Sequence, residues 1–195
     1  MNLSPTTLRG RQVRLEPLAA SHFEALARNG ADLEVWRWMP SLRSDPQESV
    51  RVWRDTVLPM QSRGELAAFA IIDLARGEAV GGTTLFDYSE AHRRIEIGYT
   101  WLAKPVWRTG INTECKYVLL RHAFETLGMN RVQLKTDARN QRSQAAIARL
   151  GAVREGVLRS HMVMHDGWLR DSVMFSIIAS EWPAVKARLE GFLAR

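Results

Sequence analysis

The stretch from Arg93 to Asp137 constrains this fold more than any other. "RRIEIGYTWL" alternates as a half-buried strand does, with Ile95, Ile97, Tyr99 and Trp101 on one face and Glu96, Gly98, Thr100 and Leu102 on the other. After "AKPVWRTG", Ile111, Cys115, Val118, Leu119 and His122 recur at helical spacing, and Gly128 ends that helix. "NRVQLKTD" is again a strand. Two strands joined through a helix lie parallel in one sheet, because a tight hairpin turn cannot connect them.

The flanking segments call for antiparallel pairing instead. "LAAFAIID" and "AVGGTTLFDY" flank the turn residues "ARGE" as a hairpin, and "REGVLRSHMVMHDGWLRDSVMFSII" folds back at its Asp-Gly turn. "RQVRLEPL" adds an early strand. Helices are expected at "AASHFEALARNG", with Ser21 as N-cap, at "DPQESVRVWRDTVLPMQSRG", with Pro46 in the first turn, at "ARNQRSQAAIARLGA", ending at Gly151, and at "SEWPAVKARLEGFLAR", capped by Ser180. The sum is an α+β (mixed α/β) fold: a mostly antiparallel sheet of about seven strands layered with helices. At 195 residues, the chain reads as a single domain spanning 1–195.

Composition excludes several classes. The longest apolar runs, such as "LAAFAII", are too short to span a bilayer, and the first residues lack a signal-peptide core. A cytoplasmic, non-membrane protein is expected. The lone Cys115 has no partner for an internal disulfide. The net charge of +6 and pI of 10.1 come from arginine scattered among acids, with only four lysines, Lys104, Lys116, Lys135 and Lys186. No basic stripe forms, so nucleic acid is not expected as a partner, while a phosphate-rich ligand suits the charge. No His/Cys spacing points to a metal.

"PVWRTGINTE" opens the long helix. The N–H groups from about Arg108 to Thr113 fall in its unpaired first turn, where the helix dipole favours anions, and Gly110 permits close approach of a ligand. Glu114 stands in the same turn. The plainer reading is a helix start with a tolerated glycine.

The order and spacing of "GRQVRLEPL", "GGTTLFD", "IEIGYTWL", "PVWRTGINTE", "FETLGMNRVQLKTDARNQRSQAAIARLGAVREGVLR" and "HDGWLRDSVMFSIIASEW" resemble the GNAT superfamily of acyl-CoA-dependent N-acyltransferases. Within it the match is to the RimJ/RimL-like branch, which includes N-terminal acetyltransferases of ribosomal proteins. The resemblance runs nearly end to end. It implies a splayed sheet with helices on both faces, opening between the family's fourth and fifth strands to hold acetyl-CoA. Trp101 and Leu102 would pair their main chain with the pantetheine arm. Trp107, Arg108, Thr109, Gly110, Ile111, Asn112 and Thr113 would hold the pyrophosphate, with Asn112 standing where the family usually has a small residue. Asn140 matches the asparagine that bonds the pantetheine amides; the alternative is a helix cap. Ser143 matches the Asn-x-x-Ser motif of the branch. It is the candidate to stabilise or protonate the departing thiolate, since Ile147 occupies the position of the tyrosine many members use.

The implied reaction is attack of a primary amine on the thioester in a ternary complex, without a metal. Glu96 is the first candidate for its general base, against a plain salt bridge. On "EGVLRSHMVMHDG", Met162 stands where some RimL-like enzymes carry a glutamate, and His161 beside it is turned away by alternation. Trp36, Trp38 and Trp53 are acceptor-pocket candidates or core. The acceptor is an amine, a protein N-terminus or a small molecule. Alternatives are a non-catalytic acyl-CoA-binding module of the same fold, or a longer donor such as succinyl-CoA. Homodimers are common in the branch, and nothing in the sequence specifies one.

Overall fold

The computed structural model describes residues 3–40 and 45–194. The ends of the expected 1–195 span, including the last residue of the stretch "SEWPAVKARLEGFLAR", lie outside them. Eight strands form one sheet: β1 (Leu8–Arg9), β2 (Val13–Pro17), β3 (Ala67–Asp73), β4 (Glu78–Ser89), β5 (Arg94–Leu102), β6 (Arg131–Asp137), β7 (Val153–Val163) and β8 (Leu169–Ile178). Their order is β1-β2-β3-β4-β5-β6-β8-β7, and only β5 and β6 run parallel. About seven strands are expected from the sequence. The eighth is β1, two residues too short to leave an alternation signal.

The helices are α1 (Phe23–Asn29), α2 (Pro46–Val52), α3 (Leu58–Ser62), α4 (Ile111–Arg121), α5 (Gln141–Leu150) and α6 (Trp182–Leu193). A π-helical turn, Trp53–Val57, joins α2 to α3. Two cores lie on opposite faces of the sheet. One packs α4, α5 and α6 through Cys115, Leu119, Leu150 and Leu189 against Ile95, Ile97 and Val132. The other packs Leu26, Trp36, Val50 and Trp53 against Ala68, Ala70 and Trp101. Helices thus cover both faces, as expected.

Two caps differ from expectation. α1 is entered through a 3-10 turn, Ala20–His22, and the cap role falls to His22, whose Nδ1 accepts the Ala19 N–H at 3.1 Å, not to Ser21. α6 starts after Glu181, whose carboxylate accepts the Ile178 N–H at 3.0 Å, so Ser180 does not cap it. A carboxylate or ring that reaches back three residues competes with a short hydroxyl.

The more consequential difference is in β5. Alternation puts Ile95, Ile97, Tyr99 and Trp101 on one face, yet Ile95 and Ile97 join the first core while Tyr99 and Trp101 pack with the second. The register against β4 passes from Thr84↔Gly98 to Gly82↔Trp101, so Tyr99 and Thr100 together face Thr83. This is a bulge, with Tyr99 at φ 48°. It turns Trp101 onto Gly81 and Gly82: a Cβ on Gly82 would stand 2.5 Å from the Trp53 ring, and one on Gly81 would stand 2.2 Å from the Trp101 carbonyl oxygen. "GG" is therefore the mate of a bulged, tryptophan-bearing strand.

Candidate active site

β5 and β6 separate where the bulge begins. Their pairing comprises Arg94↔Arg131, Ile95↔Val132 and Glu96↔Gln133 and goes no further. From Ile97 to Leu102, β5 keeps β4 on one side and has no described strand on the other. A cleft of about 1290 Å³ opens there, running from the N-terminus of α4 past α5 to the far side of the sheet.

At one end is the turn Ala103–Gly110. The first main-chain bond of α4 is from the Glu114 N–H to the Gly110 carbonyl at 2.9 Å, which leaves the amides of Gly110, Asn112 and Thr113 without main-chain acceptors. Thr109 Oγ1 donates to the Val106 carbonyl at 2.7 Å and accepts the Ile111 N–H at 3.3 Å. Ile111 is thus set apart from the other predicted loop residues: its side chain is core and its amide is already used. Gly110 has an ordinary helical φ of −67°. A Cβ there would meet only the end of the exposed Gln12 side chain, at 2.8–2.9 Å from its amide, which can swing aside. The left-handed residue of the turn is Arg108, at φ 62°.

Cations crowd this end. Arg142 stacks 3.8 Å over the Trp107 ring, which is itself fixed by its Nε1–H to the Leu102 carbonyl at 2.7 Å. Arg149 donates to Thr113 Oγ1 at 2.5 Å. The Asn112 side chain lines the cleft, as do Trp107, Arg108, Thr109, Gly110 and Thr113. Glu114 points elsewhere: it is buried and accepts the N–H groups of Arg11, Gln12 and Val13 at 2.8, 2.6 and 2.8 Å. That carboxylate pins α4 to the start of β2.

Along the middle, Trp101, Leu102, Asn140, Ser143 and Ile147 border the cleft. Asn140 caps α5, its Oδ1 accepting the Ser143 N–H at 3.1 Å. Its Nδ2 makes no hydrogen bond to another described residue, so the cap and a ligand contact use different atoms. Lys116 faces the bulge from α4. It is buried, its Nζ donates to Thr100 Oγ1 at 2.6 Å, and burial lowers its pKa.

At the far end, Glu96 is 1% exposed. Gln133 Nε2 donates to its Oε2 at 2.9 Å, and Lys135 Nζ stands 3.1 Å from both oxygens; Oε1 receives no hydrogen bond. The salt bridge expected for Glu96 is present, with Lys135 as its partner, and both donated hydrogen bonds go to Oε2. Phe86, Tyr99, Trp38, Met162 and Arg170 complete this end. Met162 faces the cleft, whereas His161 Nδ1 pairs with Ser172 Oγ at 3.0 Å, with a pKa lowered chiefly by burial. Of the three early tryptophans, Trp36 and Trp53 are fully buried and only Trp38 borders the cleft.

Sequence reasoning missed Gln12, Lys116, Lys135, Tyr99 and Arg170. A signal for the lysines existed: in a chain that prefers arginine, Lys104, Lys116 and Lys135 all line the cleft, leaving Lys186 as the fourth lysine.

Residues 12–153 match the family model described as the acetyltransferase (GNAT) domain. This chain belongs to that family. It is 30% identical over 175 residues to the "Putative ribosomal N-acetyltransferase YdaF" of Bacillus subtilis, covering 88% of this chain and 92% of that protein. A GCN5-related N-acetyltransferase from Brucella melitensis superposes with a TM-score of 0.88 at 30% identity, over 98% of this chain and 88% of the other. RimJ of Mycobacterium smegmatis, solved in complex with CoA-disulfide, superposes with a TM-score of 0.77 at 26% identity, over 95% and 92%. The chain is thus a RimJ/RimL-like N-acetyltransferase, an enzyme whose family draws its acyl group from acyl-CoA. No described helix is long and apolar enough to cross a membrane, and no described cluster of His, Cys, Asp or Glu is placed to hold a metal.

Proposed function

We propose that acetyl-CoA binds along the free edge of β5 and that a primary amine enters from the Glu96 end. The observation that carries this reading is the end of β5–β6 pairing at Glu96↔Gln133, which leaves the strand's main chain facing a cleft bordered by unpaired helix amides. The amides of Gly110, Asn112 and Thr113, with Arg108 and Arg142, receive the pyrophosphate. Asn140 Nδ2 and the main chain from Ile97 to Leu102 hold the pantetheine arm. Acetyl-CoA supplies the activated thioester.

The protein's part is placement and charge. Holding amine and thioester together accounts for much of the rate, since effective molarities reach on the order of 10⁵ M. Main-chain N–H groups at the β5 bulge face the charge that develops on the carbonyl oxygen. Glu96 Oε1, which accepts no hydrogen bond from a described residue and borders the cleft, takes the proton of the acceptor amine. Ser143 donates to the departing sulfur. The name of one relative, a putative ribosomal N-acetyltransferase, supports an amine of a ribosomal protein as one acceptor class.

The test is direct. CoA and acetyl-CoA raise the melting temperature while NAD and AMP do not, and acetyl-CoA releases free thiol steadily in the presence of an amine panel. Stabilisation without thiol release from any amine would leave only a binding protein. Glu96→Gln is expected to reduce kcat by about 10²–10⁴-fold; an unchanged kcat removes Glu96 from proton transfer.

A further inference from the structure

Arg170, at the acceptor end, makes no hydrogen bond or ion pair with any described residue. It is 4% exposed, it lines the cleft, and its Nε is sealed from solvent without an acceptor. No hydrogen bond joins its guanidinium to another described residue. A buried guanidinium left in that state is costly, because desolvation is repaid only by a well-placed anion.

The neighbouring acids are already taken. Asp137 is held in a fork by Arg139, with Nε to Oδ1 at 3.0 Å and Nη2 to Oδ2 at 2.8 Å, and Arg139 is itself clamped between the rings of Trp38 and Trp168. Glu96 is matched by Lys135. Asp171, next in sequence, accepts the Ser160 N–H. Three cations, Lys135, Arg139 and Arg170, therefore stand near two carboxylates, Glu96 and Asp137; Lys135 and Arg139 are ion-paired, whereas Arg170 feels Asp137 and Glu96 only at longer range and lines the cleft without an ion pair to a described residue.

We infer that Arg170 receives a carboxylate carried by the acceptor, so that the enzyme acts on amines bearing an acid group a few bonds away. This rests on the transferase reading above. Glu96 Oε1 meets the amine and the Arg170 fork meets the acid, while Phe86, Tyr99 and Met162 border the space between them. Two sources share this chemistry: the α-carboxylate of a free amino acid, and an acidic side chain beside a peptide N-terminus. The transfer balances in either case. The amine nitrogen bonds to the acyl carbon, the C–S bond breaks, the thiolate leaves and takes up a proton, and the amine loses one.

The experiment compares matched acceptors with acetyl-CoA: L-methionine against L-methioninamide, and a peptide beginning Met-Asp against one beginning Met-Asn. The readout is the acid-to-amide ratio of kcat/KM in the wild type divided by the same ratio in Arg170→Gln, which cancels differences in amine basicity. A quotient of about 10–100 in either pair supports the inference and names the source. A quotient near one in both pairs overturns it. Arg170→Lys, which keeps the charge and loses the fork, should fall between.

Should Arg170→Gln fail to fold, or no amine be acylated, the wild-type melting temperature in the presence of CoA decides. Greater stabilisation by the acid than by its amide supports the carboxylate site even if the transferase reading falls; equal shifts in both pairs overturn it.

Discussion

Lys116 Nζ lies 2.6 Å from Thr100 Oγ1, tying the middle of α4 to the bulge of β5. Thr100 Oγ1 in turn shares a hydrogen bond of 2.7 Å with Thr83 Oγ1 on β4. The lysine is buried with no ion pair to a described carboxylate, and desolvation lowers its pKa. A charge placed there weakens the fold, so Lys116→Met is expected to stabilise the protein by about 1–3 kcal/mol. The folded pKa lies below the unfolded value, so the unfolded chain binds more protons between the two. The destabilisation contributed by Lys116 therefore fades as pH rises toward 10.5, and the advantage of the variant shrinks over the same range. Urea titrations of both proteins at several pH values check this. If the buried amine instead serves the cleft, the same variant loses turnover, the usual exchange of stability for function.

Glu114 has the opposite character. It accepts three N–H groups from Arg11, Gln12 and Val13 in a buried setting, and its removal strands all three donors. Glu114→Ala is expected to cost about 3–5 kcal/mol and Glu114→Gln a part of that. The same contact predicts that Gly10→Ala is destabilising, because its Cβ would stand 2.6 Å from Glu114 Cδ. Chemical denaturation measures each; a loss under 1 kcal/mol for Glu114→Ala would show that the turn relaxes around the gap.

Most of the fold was legible because its signals are local. Alternation marks the core strands, helical spacing marks α4, and "HDG" marks the β7–β8 turn. The bulge at Tyr99 was not legible. It inserts one residue into a run that still alternates by letter, so alternation places Tyr99 and Trp101 on the face of Ile97. The cleft-lining role of the loop 107–113 followed from the helix start and the family resemblance, except at Ile111, where the apolar periodicity of α4 already argued for the core. Arg170 was hidden for a different reason. Nothing in "WLRDS" tells which of its charges is buried, since that depends on where β6 and β7 bring Asp137 and Met162.

Cys115 offers a test of the α4 core. Its thiol is fully buried and burial pushes its pKa up to about 11. A thiol reagent at pH 8 should find no rapidly reacting group in the native protein and one after denaturation. The unfolded thiol ionises near 9, so the folded state loses stability as pH rises from about 9 to about 11, by about 2–3 kcal/mol in all. Cys115→Ala lacks that loss, and the difference between the two proteins isolates it from other alkaline titrations.

Asn140 separates two roles that one substitution usually confounds. Its Oδ1 caps α5 through the Ser143 N–H, and its Nδ2 is free beside the cleft. Asn140→Ala removes both, so it should lose about 1 kcal/mol of stability together with CoA affinity. Asn140→Ser keeps a capping oxygen and discards the amide, so its melting temperature should stay near that of the wild type while CoA binding weakens about 5–10-fold, the value of one net hydrogen bond. Ser143→Ala, by contrast, should lower kcat with little change in CoA affinity. Calorimetric titration with CoA beside steady-state kinetics resolves the three. Equal CoA affinity in Asn140→Ser and the wild type would confine Asn140 to the helix cap and leave the pantetheine arm to the main chain of β5.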